Sequence, residues 1–169
     1  MSEHVTEKAK PVPKRRSASR TAARLAAVQA LYQMDMAGTD ANVVVREFLE
    51  YRLDEVAESV GSEETDEDYF RDIVLGVVRE QSAVDPVLDA HLAEGWRLHR
   101  IDSILRAILR SAAFELVLCD DVPAKVIINE YVDIAHAFFE TDEPKVVNGI
   151  LDRLAKDRRT GEFKQEGDD

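Results

Sequence analysis

Residues 101–118 constrain this chain more than any other stretch. Ile101, Ile104, Leu105, Ile108, Leu109, Ala112 and Leu116 recur at helical spacing and form one apolar face too wide for a single contact. A helix of that kind must be packed on several sides, so it is expected at the centre of the second half of the fold. No segment alternates apolar and polar residues in the manner of a strand. The chain therefore reads as all-α.

The remaining segments fit that frame. Good helix formers dominate residues 17–37, with Leu25, Val28, Leu31 and Tyr32 at helical spacing, and Gly38 as the stop. Thr39 or Asp40 can cap a second helix that runs to about Ser59 through Val44, Phe48, Leu49, Leu53 and Val56. Residues 62–68 form an acidic loop, in which Thr65 and Asp68 have the spacing of a capping signal. The third helix carries Phe70, Ile73, Val74, Val77 and Val78. Asp85-Pro86 is expected to break or restart it, because proline has no amide proton to donate. A short segment through Leu88 and Leu92 closes at Gly95-Trp96. After the central helix and a turn at residues 120–123, a helix over 123–139 turns Ile127, Ile134 and Phe138 inward. One more follows with Pro144 in its first turn and Val146, Val147, Ile150, Leu151 and Leu154 apolar.

Charge is distributed unevenly. Residues 1–24 hold seven basic and two acidic side chains (+5), and residues 25–169 hold 15 basic and 32 acidic (−17), for a net −12. Lys8, Lys10, Lys14, Arg15, Arg16, Arg20 and Arg24 lie in one run without an acid. Gathered cations on an acidic body suit a local polyanion site, although a solubilising tail has the same composition. The expected organisation is a flexible basic arm (1–16), two helical units (17–82 and 83–158) and a loose polar tail (159–169).

Chemistry beyond binding finds little support. The histidines His4, His91, His99 and His136 lack metal-ligand spacing, and there is no glycine-rich phosphate loop or nucleophile elbow. Cys119, the single cysteine, reads as a small core residue. Glu115 and the Asn129-Glu130 pair sit within apolar helices and read as polar groups tying helices together through hydrogen bonds. No catalytic residue, metal site or cofactor is expected. No apolar run approaches the ~20 residues that cross a bilayer, and the basic N-terminus lacks a signal-peptide core. The expectation is a cytoplasmic protein.

Three blocks resemble the NusB family of transcription antitermination factors. The first is Arg20-Thr21-Ala22-Ala23-Arg24 followed by Ala27-Val28-Gln29-Ala30-Leu31-Tyr32. The second is Ile104-Leu105-Arg106-Ala107-Ile108-Leu109-Arg110, continuing through Phe114-Glu115-Leu116 and Val122-Pro123 to Ile128-Asn129-Glu130. The third is Lys145-Val146-Val147-Asn148-Gly149-Ile150-Leu151-Asp152. The resemblance spans roughly residues 17–157 and implies two antiparallel three-helix subdomains stacked on a shared core. It implies partners as well: boxA-type single-stranded RNA, the small-subunit ribosomal protein NusE and the RNA polymerase antitermination complex. A homodimer is also compatible with the family.

The resemblance gives the arm an RNA role, because an unpaired strand needs cations for phosphates and planar or amide side chains for bases. The candidate RNA residues are Lys14, Arg15, Arg16, Arg20, Arg24, Gln29 and Tyr32, joined by Asp142, Lys145 and Val146 at the start of the last helix. Arg20 and Arg24 are neighbours four apart, and Gln29 and Tyr32 share a face three apart. Tyr32 suits either base stacking or the core. Relatives often carry an aromatic where this chain has Val146, and a valine cannot stack on a base. Tyr32 and Asp102 are the candidate NusE contacts, with capping of its own helix as the other role for Asp102. Asn148 and Glu130 read as structural. The runner-up is a helical protein-interaction module without RNA affinity. An RNA methyltransferase with a NusB-like domain would need a further α/β domain, for which the chain has no room.

Overall fold

The computed structural model describes residues 14–163, all-helical apart from turns. Helix α1 (Lys14–Ala37) leads into α2 (Ala41–Tyr51), α3 (Leu53–Ser59) and α4 (Glu67–His91). A single 3-10 turn at Leu98–Arg100 precedes α5 (Ser103–Leu118), α6 (Ala124–Phe138), α7 (Glu143–Arg158) and the short α8 (Thr160–Phe163). Helix α1 packs on α2, α3 and α4, helix α5 packs on α6 and α7, and α1 and α4 both lie against α5. One continuous apolar cluster runs through both halves. As its wide stripe requires, α5 is central, with Ile108, Leu109, Ala112 and Ala113 fully buried.

Several boundaries differ from the sequence reading, each for a tertiary reason. The arm is helical from Lys14 rather than Ser17, while residues 1–13 lie outside the described residues. The expected second helix is two, because the backbone is distorted at Arg52, whose φ of −117° lies well off the helical value while ψ stays at −28°. In one straight helix Leu53 and Ala57 would point well away from the Val44, Val45 and Phe48 stripe. The break rotates α3 so that Leu53 and Ala57 are buried too. The cap of α4 is Asp66, whose carboxylate accepts from the Tyr69 amide at 3.0 Å. Thr65 instead donates to the Leu53 carbonyl at 2.8 Å, anchoring the loop.

Pro86 does not interrupt α4, which crosses the expected boundary at 82/83 without a break. Val84 and Leu88 flank the proline and are both buried, and the Asp85 carboxylate takes a two-pronged bond from Arg110 at 3.0 and 2.9 Å. That packing outweighs the ~3 kcal/mol an interior proline costs a helix. Phe138, expected inward, is 37% exposed. Helix α6 ends there, and the extended backbone of Phe139 brings the next ring against the core instead.

The expected loose tail also starts too early. Arg159 is buried, and its guanidinium donates to the carbonyls of Glu115, Leu116, Cys119 and Val122 at 2.6–3.0 Å. It thereby satisfies the Leu116 and Cys119 carbonyls at the C-terminus of α5 and ties the following turn to it through Val122. Glu162 of α8 pairs with Arg159 and accepts from the Ala124 amide, tying down the start of α6.

The α4–α5 crossing depends on one glycine. A Cβ on Gly76 would lie 2.2 Å from Cζ of the Phe114 ring, which is itself buried. Gly76→Ala gains about 1 kcal/mol of helix propensity but forces the ring to move, at a typical overpacking cost of about 1–3 kcal/mol. The expected result is a net loss of stability in urea unfolding. Gly76→Ala combined with Phe114→Leu should recover part of it. Equal or greater stability for Gly76→Ala alone would contradict this packing.

Candidate nucleic-acid interface

Helix α1 has 24 residues and is about 36 Å long, with its middle turns buried. One stripe (Ala18, Thr21, Gln29, Tyr32, Met36) keeps contact with solvent. Lys14, Arg15 and Arg16 are exposed at the N-terminal end, and Arg20 is half-buried. The guanidinium carbon of Arg20 lies over the Tyr69 ring, 4.8 Å from its centre, and the side chain has no ion-pair partner among the described residues. A guanidinium held this way is preorganised for phosphate or for stacking. Asp66, Asp68, Asp72 and Asp121 line the depression that Arg16 and Arg20 share, so carboxylates outnumber cations inside it and a phosphate chain is kept to its exposed outer edge.

Arg15 is not free. It pairs with Glu63 at 3.6 Å and Glu64 at 3.5 Å, all three side chains being well exposed. Exposed pairs of this kind are worth about 0.2–1 kcal/mol. A polyanion must displace the two carboxylates to reach Arg15. Glu63→Gln with Glu64→Gln should therefore tighten RNA binding about 1.5- to 5-fold at low salt, measured by anisotropy of a labelled strand, and the gain should fade as salt rises. Weaker binding would show that the acidic loop helps rather than competes.

Arg24 is a correction. It shares a face with Arg20 and also lies over Tyr69, at 5.0 Å, but its side chain is only 2% exposed. The guanidinium forms a fork with the Glu115 carboxylate (2.9 and 3.0 Å), donates to Tyr69 Oη at 2.9 Å and reaches Glu130 at 3.3 Å. The Tyr69 hydroxyl donates to Glu115, as does that of Tyr131 at 2.5 Å, and Thr21 donates to Glu130 at 2.7 Å. This node joins α1, α4, α5 and α6, and it removes Arg24 from any RNA surface. Burial disfavours the Arg24 charge, but the Glu115 carboxylate more than offsets it and the guanidinium pKa is raised. Burial, followed by the charge of Glu115, also raises the phenols of Tyr69 and Tyr131. Cys119 is pushed up to about 11, first by burial and then by Glu115, so its thiol stays protonated near neutrality.

The other candidate residues gather at the opposite end of the molecule. Tyr32 lies 16 residues beyond Arg16, about 24 Å along α1, and is 36% exposed rather than core. Gln29 is half-buried, and its amide oxygen has no partner among the described residues. The exposed Asp102 caps α5, accepting from the amides of Ile104 at 2.8 Å and Leu105 at 3.2 Å. Asp142 and Lys145 are exposed at the start of α7, whereas Val146 is half-buried against the core. The residues missed at the sequence level were Tyr69, Glu63 and Glu64. A cation embedded in the apolar run Ala22, Ala23, Leu25 and Ala26 was the available sign that Arg24 needs a buried partner.

Scaffold and charge together define an all-helical binding factor with a cluster of cations at the N-terminal end of α1. The chain belongs to the NusB family, whose family model matches residues 21–156. The transcription antitermination protein NusB of Maricaulis maris is 51% identical over 148 residues, 88% of this chain and 92% of that protein. NusB of a Bradyrhizobium species is 53% identical over 149 residues, 88% of each chain. Among solved structures, T. maritima NusB superposes with a TM-score of 0.67 at 29% identity, covering 86% of this chain and 96% of that one. The fold is also that of a structure of the antitermination factors NusB and NusE in complex with dsRNA, with a TM-score of 0.67 at 24% identity over 82% of this chain and 97% of that one. No helix among the described residues is long and apolar enough to cross a membrane.

Proposed function

We propose that this protein is an RNA-binding transcription antitermination factor that pairs with ribosomal protein NusE on boxA-type single-stranded RNA. It works by binding, in the cytoplasm, and not as an enzyme. The observation that carries the reading is the set of cations at the start of α1, where Lys14, Arg15 and Arg16 are exposed and Arg20 lies over Tyr69. On a chain of net −12, these side chains form a local anchor for phosphates. Tyr32, Asp142 and Lys145 extend the RNA path toward the far end of α1, with the half-buried Gln29 one turn before Tyr32.

The partner surface follows from the same helix. The C-terminal half of α1, the middle of α4 and the start of α5 enclose a groove lined by Leu31, Met34, Val77, Val78, Ser103 and Ala107. Met36 and Val78 are 63% and 41% exposed nearby. A groove that mixes these apolar side chains with Asp35, Gln81 and Arg110, and whose Leu31 and Ser103 are next in sequence to Tyr32 and Asp102, suits a protein partner.

The test is titration of a boxA-type RNA, with and without NusE, at two salt concentrations. Contact with about four phosphates predicts a slope of about −3 in log affinity against log salt, and NusE should tighten the complex. Salt-insensitive binding, or no binding in either condition, would refute the reading. A mass measurement of the free protein separates monomer from homodimer.

A further inference from the structure

The single tryptophan of the chain lies outside the core. Trp96, in the loop after α4, is 43% exposed. With Ile101, Leu105 and Phe139 it walls a cavity of about 410 Å³, and Arg97 and Arg100 stand at the rim. Neither arginine has an ion-pair partner among the described residues. The two acids of the cavity are already engaged: Asp102 caps α5, and Glu143 accepts from the Thr141 hydroxyl at 2.9 Å.

This composition selects among ligands. Two cations and two carboxylates leave the cavity without net charge, which does not favour a lone anion. A neutral planar ring carrying amino donors fits better, with phosphates on either side for the two arginines. An indole face is a stacking platform for any base.

Position points the same way. Arg106 donates to the carbonyls of Leu98 at 3.3 Å and Ile101 at 3.2 Å while pairing with Asp35 near the end of α1. The Trp96 loop is thereby tethered to the end of α1 that carries Tyr32. Glu143 belongs to the same first turn of α7 as Lys145 and Val146. The cavity therefore reaches the first turn of α7, the turn that carries the exposed Lys145.

We propose that the Trp96 cavity receives an unstacked base of the bound RNA, with the indole as its platform and Arg97 and Arg100 on the flanking phosphates. This rests on the RNA-binding reading above and assigns that reading a base-stacking site.

Because Trp96 is the only tryptophan, its emission reports on the cavity directly. A boxA-type oligonucleotide with a terminal dye is titrated into the full chain while anisotropy and tryptophan emission are followed together. Quenching with the same midpoint as the anisotropy change is expected. Trp96→Ala should lose about 5- to 140-fold in affinity with little change in salt slope, and Trp96→Phe should retain most of the affinity. Arg97→Ala and Arg100→Ala should each reduce the slope by about 0.7. Melting curves confirm that each variant is folded, and the quenching readout needs no variant at all. RNA binding with unchanged emission and an unaffected Trp96→Ala variant overturns this inference and leaves the RNA-binding reading standing. Emission that responds to NusE but not to RNA assigns the cavity to the protein partner and also overturns it. No anisotropy change removes both readings.

Discussion

Glu115→Gln will destabilise the protein by about 3–5 kcal/mol, the usual cost of removing one partner from a buried ion pair. The substitution keeps the size of the side chain but leaves the Arg24 guanidinium, 2% exposed, with Glu130 at 3.3 Å as its remaining counter-charge. Arg24→Met combined with Glu115→Leu removes both charges and should recover part of the loss, the rest remaining because the Tyr69 and Tyr131 hydroxyls lose their acceptor and Glu130 loses Arg24. Denaturant unfolding at constant slope decides the matter. A single variant within about 0.5 kcal/mol of the parent would mean that the node carries little of the fold.

The same node sets the alkaline limit. Tyr69 and Tyr131 have raised pKa values in the folded state, so folding favours their protonated forms. Their contribution is fully present below the ordinary tyrosine pKa of about 10, and it is lost as pH climbs from there toward the folded values. Stability should therefore fall steadily above about pH 10. Of the four tyrosines, these two should yield tyrosinate absorbance only together with unfolding. Full ionisation of all four with the melting temperature unchanged would contradict it.

Replacing Arg16 and Arg20 by alanine should weaken RNA binding by roughly tenfold each at low salt, about 1.4 kcal/mol per charge-assisted phosphate contact. The salt slope should shrink by about 0.7 per arginine removed. Arg20→Lys should keep the slope yet lose affinity, since an ammonium cannot reproduce the planar fork of a guanidinium held over Tyr69. Arg24→Ala serves as the contrast. It should reduce stability and leave the salt slope of the folded protein unchanged, because its guanidinium already belongs to Glu115. Parallel titrations of the four variants separate anchoring from scaffolding. An Arg16→Ala, Arg20→Ala protein with the parent's affinity and slope would move the RNA off α1.

The helices themselves were legible because their signals are local. Apolar periodicity marks α1, α4, α5, α6 and α7, Asp40 caps α2 and Pro144 sits in the first turn of α7. Gly38 ends α1 with φ +65°, a geometry that glycine tolerates best. The misreadings share one origin. Pro86 stays helical because Val84 and Leu88 are buried on either side of it, and Arg52 breaks its helix so that Leu53 and Ala57 can be buried. Arg159 is held by carbonyls about 40 residues earlier in the chain. In each case a local preference was overridden by distant packing.

The cationic segment shows the same division. Its position and its sign are written in consecutive residues, and the family in three blocks along the chain, because charge and motif need no partner to be recognised. Which arginines face solvent is a different matter. Arg20 and Arg24 are one helical turn apart and touch the same tyrosine, yet one remains accessible while the other meets a carboxylate 91 residues away. Only the crossing of α1 and α5 brings those two groups together, and burial makes their pairing obligatory.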